Sequence, residues 1–205
     1  MKNVIFLVCL LTGWVPLAIS ADADAGKNMS LVCSACHGAD GNSAVPSFPK
    51  LAGQGEAYLI KQMQDIRDGA RSVPTMAGQL TGKSDEDLAN LAAYFASQPK
   101  SGGKTRPELL ELGQKVFRAG IADRDVPACS ACHSPNGLGN APAGFPSLAG
   151  QHAEYTATQL KMYRMGYEDE TGRTNDGDAK IMRTIAFGLS DKEIEAVSSY
   201  IAGLK

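Results

Sequence analysis

The chain is short of several residue types and patterns, and each shortage narrows what it can be. Histidine occurs three times in 205 residues and tryptophan once, at Trp14. Neither sign of charge dominates: 20 Lys plus Arg face 22 Asp plus Glu, for a net charge of -2. No basic run is present to track a phosphate backbone, which argues against nucleic acid as a partner. No alternating apolar and polar stretch of useful length occurs either, so strands are not expected and the fold class reads as all-α. Beyond residue 20, no apolar run is long enough to cross a bilayer.

The one long apolar run lies at the start. Lys2 precedes Val4 to Ile19, and Ala18-Ile19-Ser20 supplies the small residues a signal peptidase reads. Residues 1–20 are therefore expected to be a cleaved secretory signal peptide. The run is short for a membrane span, and Gly13 and Pro16 interrupt it. Cleavage would remove Cys9 and Trp14; an uncleaved segment would tether the protein peripherally at a membrane surface. Four cysteines then remain. In an exported protein an even count usually signals disulfides, but here all four fall in two copies of one pattern.

That pattern belongs to a tandem duplication. Cys33-Ser34-Ala35-Cys36-His37 recurs as Cys129-Ser130-Ala131-Cys132-His133, 96 residues on. Phe48-Pro49-Lys50-Leu51-Ala52-Gly53-Gln54 recurs as Phe145-Pro146-Ser147-Leu148-Ala149-Gly150-Gln151 at offset 97. Tyr58, Gln62, Arg67 and Gly69 match Tyr155, Gln159, Arg164 and Gly166 at the same offset. Met76 and Ser84-Asp85 match Met182 and Ser190-Asp191 at offset 106, so the second copy carries nine extra residues. The polar segment Tyr167 to Asp178 is their natural place. A period this long is a duplicated domain, not a solenoid. The stretch 99–106, with proline, two glycines and no apolar side chain, reads as a linker between domains at 21–98 and 107–205.

Each copy reads as a few helices. They are expected over Gly26 to Ala35, Glu56 to Asp68 and Ser84 to Ser97, then Glu108 to Ala119, Glu154 to Met165 and Ser190 to Leu204. Ser84 and Ser190 are expected N-caps, the second in a full capping box with Glu193. Leu88, Leu91, Ala92 and Phe95 recur at helical spacing, as do Ile194, Val197, Ser198 and Ile201. Domains this small and loop-rich need a cofactor or a staple.

Cys-x-x-Cys-His supplies that staple. Two thiols three positions apart can bond both vinyl groups of one haem, and the next residue delivers an imidazole to the iron. Cys33 and Cys36, and Cys129 and Cys132, are thus the expected thioether cysteines of two haem c groups, with His37 and His133 as proximal ligands. A thiol redox pair would need neither the trailing His nor its repetition. A zinc ribbon would not separate its two pairs by 96 residues.

The other side of each iron needs a second ligand. His152 has Gly55 as its counterpart, so it reads as a solvent-facing residue at a helix start. Of the methionines past the leader, only Met76 and Met182 are matched, each on an expected loop eight residues before the capping serine of the last helix. They are the expected sixth ligands. Met29, Met63, Met162 and Met165 read as core filling. A proline-segment carbonyl would orient each imidazole, from Pro49 and Pro146 or from Pro46 and Pro142, and simple loop rigidity explains these prolines equally well.

These paired motifs resemble the cytochrome c4 family, and the resemblance covers the whole chain past the leader. It implies two tandem class I cytochrome c-like domains, each wrapped around one haem and facing the other through the haem side. It also implies low-spin His/Met irons and a periplasmic electron carrier without catalysis of its own, often close to the membrane. Its redox partners would be a quinol-oxidising cytochrome complex as donor and a terminal oxidase as acceptor. Two alternatives share the attachment chemistry: an electron-accepting subunit of a dehydrogenase, and a dihaem peroxidase with one open iron.

Overall fold

A computed structural model describes residues 21–205; the expected leader, with Cys9 and Trp14, lies outside the described residues. The first copy holds α1 (Ala23–Met29), α2 (Ser34–His37), α3 (Glu56–Arg67) and α4 (Asp85–Ser97). The second holds α5 (Leu110–Ala119), α6 (Ser130–His133), α7 (Ala153–Glu168), α8 (Ile181–Phe187) and α9 (Asp191–Gly203). Among the described residues there is no strand, only two isolated bridges, and no helix is long and apolar enough to cross a membrane.

Side-chain caps open three of the helices, α1, α4 and α9. Asp22 accepts from the Asp24 and Ala25 N–H groups and opens α1. Both last helices start with complete capping boxes, Ser84 with Asp87 and Ser190 with Glu193. The first was not expected to close: Asp87 is a shorter acid than Glu193, yet it still reaches the Ser84 N–H at 2.9 Å. The continuous helix expected over Gly26 to Ala35 is instead broken by a 3₁₀ turn at Ser30–Val32. Ser30 Oγ donates to Lys27 O and Ser34 Oγ to Leu31 O, so hydroxyls compete for carbonyls around the break.

In each copy the first helix crosses the last. α1 packs on α4 through Gly26, where an added Cβ would lie 1.9 Å from Asn90 O. α5 packs on α9 through Gly113, whose Cβ would lie 2.3 Å from Ala196 O. Below the crossings sit two cores. Leu88, Leu91, Ala92 and Phe95 of α4 pack with Leu59 and Leu80 in the first. Ile194, Val197 and Ile201 of α9 pack with Val116, Phe117 and Leu189 in the second. Ser198 is fully buried as well.

The nine extra residues show where the copies part. α7 runs past Met165 to Glu168, and a polar loop then leads into α8. Asp176 holds the start of that helix, accepting from the Arg183 N–H at 3.0 Å and from Arg183 Nε at 2.6 Å. Met182 therefore lies on a helix, contrary to the expected loop, whereas Met76 ends a 3₁₀ turn, Pro74–Met76. The stretch 99–106 has no helix, yet it is packed rather than loose. Asn42 donates to Pro99 O, and the Gly103 N–H bonds Ala202 O at 3.0 Å.

Candidate functional site

Each Cys-x-x-Cys-His segment closes into a single helical turn. The His37 N–H bonds Cys33 O at 2.9 Å and the His133 N–H bonds Cys129 O at 2.9 Å, which puts both thiols and the imidazole on one compact element. The four motif cysteines form no disulfide. Burial raises the pKa of Cys33 and pushes that of Cys129 up to about 11. A catalytic thiol pair would show the opposite shift, a thiolate stabilised near neutrality.

Both imidazoles are buried and held alike. His37 Nδ1 lies 2.9 Å from Pro49 O, and His133 Nδ1 lies 2.9 Å from Pro146 O. A carbonyl can only accept, so Nδ1 carries the proton and the lone pair resides on Nε2. Of the proline pairs left open above, Pro49 and Pro146 are those in contact. Burial lowers both histidine pKa values, partly offset by the carbonyls, which favours the neutral ring that a metal ligand requires. Phe48 and Phe145 flank the two rings with centroids 6.3 and 6.1 Å away.

The methionines are placed less symmetrically. Met76 borders the same apolar cluster as Cys33, and it lines a groove with Ile66, Val73, Pro74 and Leu80. Met182 is half-buried on the first turn of α8. Met29 and Met63 do pack against the first core, but Met165 is exposed and fills none. His152 also departs from expectation. It caps α7, but it is half-buried, and its Nε2 donates to Ser43 O of the other copy at 2.8 Å.

Residues that sequence reasoning left without a role build the junction between copies. Gln54 Nε2 donates to Ser147 O at 2.8 Å, and its Oε1 accepts from the Ser147 N–H at 2.8 Å. Gln151 does the same to Lys50, with both bonds at 2.9 Å. A second symmetric cluster joins the guanidiniums of Arg71 and Arg173 to Gln62 and Gln159. Arg71 also reaches Tyr155 Oη at 3.1 Å, and Arg173 stacks 4.4 Å over the Tyr163 ring. Part of the signal was in the repeat itself: the four glutamines and Tyr155 are polar and matched between the copies.

The donor sets fit a covalently attached haem in each half: two thiols on one turn, and an imidazole held through Nδ1 with Nε2 unbonded among the described residues. Comparison with known proteins agrees. The cytochrome c family model matches residues 23–99 and 110–205. The chain belongs to the cytochrome c family, in its cytochrome c4 branch. It is 55% identical to cytochrome c4 of Pseudomonas aeruginosa over 205 residues, all of both chains. The crystal structure of reduced recombinant cytochrome c4 from Pseudomonas stutzeri superposes with a TM-score of 0.86 at 54% identity, covering 90% of this chain and all of that one. A thiosulfate dehydrogenase electron acceptor from Stutzerimonas stutzeri is 38% identical over 179 residues, 85% of this chain and 80% of that protein. Cytochrome c domains bind covalently attached haem c, and the two Cys-x-x-Cys pairs fit two such groups. The family assignment and the all-α, two-domain reading thus stand.

Proposed function

We propose that this protein is a periplasmic dihaem electron carrier, taking electrons from a quinol-oxidising cytochrome complex and passing them towards a terminal oxidase. Cys33 and Cys36 carry the first haem, with His37 and Met76 as the axial pair. Cys129 and Cys132 carry the second, with His133 and Met182. When bound, haem supplies a one-electron ferric/ferrous couple, and thioether ligation opposite histidine raises its potential relative to two histidines. The chain's own residues do the rest. The thiols anchor the macrocycle, the proline carbonyls fix each ring's tautomer and direction, and the cores exclude water. With a histidine and a methionine holding each iron, neither haem would offer peroxide a place to bind, which disfavours the peroxidase alternative.

The observation that carries the reading is the matched pair of buried imidazoles, each held through Nδ1 on a proline carbonyl next to a Cys-x-x-Cys pair. Replacing Met76 or Met182 by Ala in the haem-loaded protein should remove about half of the near-infrared Met–iron band and lower one potential. Retention of the full band in both variants would overturn the ligand assignment.

Likeness to a thiosulfate dehydrogenase electron acceptor supports one second reading, a dehydrogenase partner as donor. Affinity purification from the native periplasm separates the two. A stable dehydrogenase complex favours the second reading, and a free carrier favours the first.

A further inference from the structure

Each proximal imidazole is bonded to one half of a peptide group whose other half is bonded to the opposite domain. The carbonyl of Pro49 accepts from His37, and the N–H of the same peptide unit, on Lys50, donates to Gln151 Oε1 at 2.9 Å. The second domain repeats the arrangement. Pro146 O accepts from His133, and the Ser147 N–H donates to Gln54 Oε1 at 2.8 Å. Each glutamine also donates to the carbonyl one residue on, and its Oε1 accepts from the next N–H of its own chain, Gly55 or His152, so three bonds lock its amide plane. Gln54 is buried in the junction and Gln151 half-buried there.

We propose that Gln54 and Gln151 are crossed positioning residues, each tuning the imidazole, and hence the reduction potential, of the other domain's haem. Hydrogen bonds in a chain polarise one another, so an acceptor on the Lys50 N–H makes Pro49 O more negative. That oxygen then draws harder on the His37 Nδ1–H, and the ring becomes a stronger donor at Nε2. A more electron-rich ring favours the ferric state, so Gln151 lowers the first domain's potential, and Gln54 lowers the second's. Docking of the two domains is thereby felt at both irons without any residue of one domain touching the other's iron. The inference rests on the ligand roles proposed above for His37 and His133.

The test uses the full haem-loaded chain in a potentiometric titration followed by proton NMR, with the methyl signals of each haem assigned to its domain. Gln151→Leu should raise the potential of the first domain's haem, shift the His37 Nδ1–H resonance and speed its exchange with solvent. The second domain's haem should keep its wild-type values. Gln54→Leu should produce the mirror image. Gln151→Glu, which keeps an acceptor on the Lys50 N–H and strengthens it, should move the first potential down instead. A shift in the variant's own domain, an equal shift in both, or the same sign for Leu and Glu would overturn the proposal, the last two marking a merely structural role. Unmoved potentials with the His37 resonance intact would overturn it too while leaving the ligand reading standing. A wild-type protein without histidine-ligated haem signals would overturn both.

Discussion

The two halves hold their imidazoles in the same way and their methionines in different ways. Histidine, proline carbonyl and crossed glutamine are related by the repeat almost atom for atom. The methionine segments are not. Pro74 and a 3₁₀ turn present Met76, whereas Met182 rides on α8, which is fastened by the Asp176–Arg183 pair inside the inserted loop. Side-chain exposures of 11% for Arg183 and 5% for Asp176 make that pair a buried one. The difference teaches that repeat-matched methionines can be presented by quite different local structures, a turn in one half and a braced helix in the other.

The comparison breaks hardest at Asp176. Asp176→Ala leaves the Arg183 guanidinium buried and unpaired, a loss of about 3–5 kcal/mol, and frees the start of α8. The expected result in the loaded protein is a urea midpoint far below wild type and loss of the second haem's Met–iron band alone. Equal loss of both bands would mean that the halves are not separately held.

Matched features should respond alike. Gly26→Ala and Gly113→Ala each force a methyl against a backbone carbonyl of the partner helix, at 1.9 and 2.3 Å before relaxation. Overpacking of this kind costs about 1–3 kcal/mol, sometimes more, and thermal denaturation should show similar losses for the two variants. A tolerated Gly113→Ala beside a crippling Gly26→Ala would show that the second crossing can slide.

The smallest effect concerns the junction, where lysines come from one side. Lys50 has Ser147 as its counterpart, and Lys100 from the stretch between the copies donates to Ser147 Oγ. Burial lowers the pKa of Lys100 below its ordinary 10.5. Between the lowered folded value and 10.5 the unfolded chain binds more protons, so stability should rise with pH through that window and level off above it. Lys100→Met should flatten this rise in denaturant titrations at a series of alkaline pH values. An unchanged slope would assign it to other groups.

Much of this architecture was readable before any coordinates. Cys-x-x-Cys-His is local chemistry, and Ser followed three positions on by an acid is local capping, so attachment turns and last helices fell where expected. Readings failed where distant partners decide. Nothing near Met182 in the chain announces α8, because its N-terminus is held by Asp176 six residues earlier, through a loop with no regular pattern. His152 looked free because its acceptor, Ser43, is 109 positions away. Gln54 and Gln151 stood inside the repeated motifs without a role, since their bonds to the other copy form only once the copies dock.

By itself, then, the order of residues showed two Cys-x-x-Cys-His motifs that fit two attached haems, and that one domain was copied. Spacing within a helical turn is enough for that, because the reacting groups are covalent neighbours. Only the tertiary structure decided that each copy's glutamine grips the peptide behind the other copy's histidine, and that one methionine sits on a turn and the other on a helix. Those outcomes depend on desolvated polar groups finding partners across an interface, and no local pattern encodes where a distant donor will come to rest.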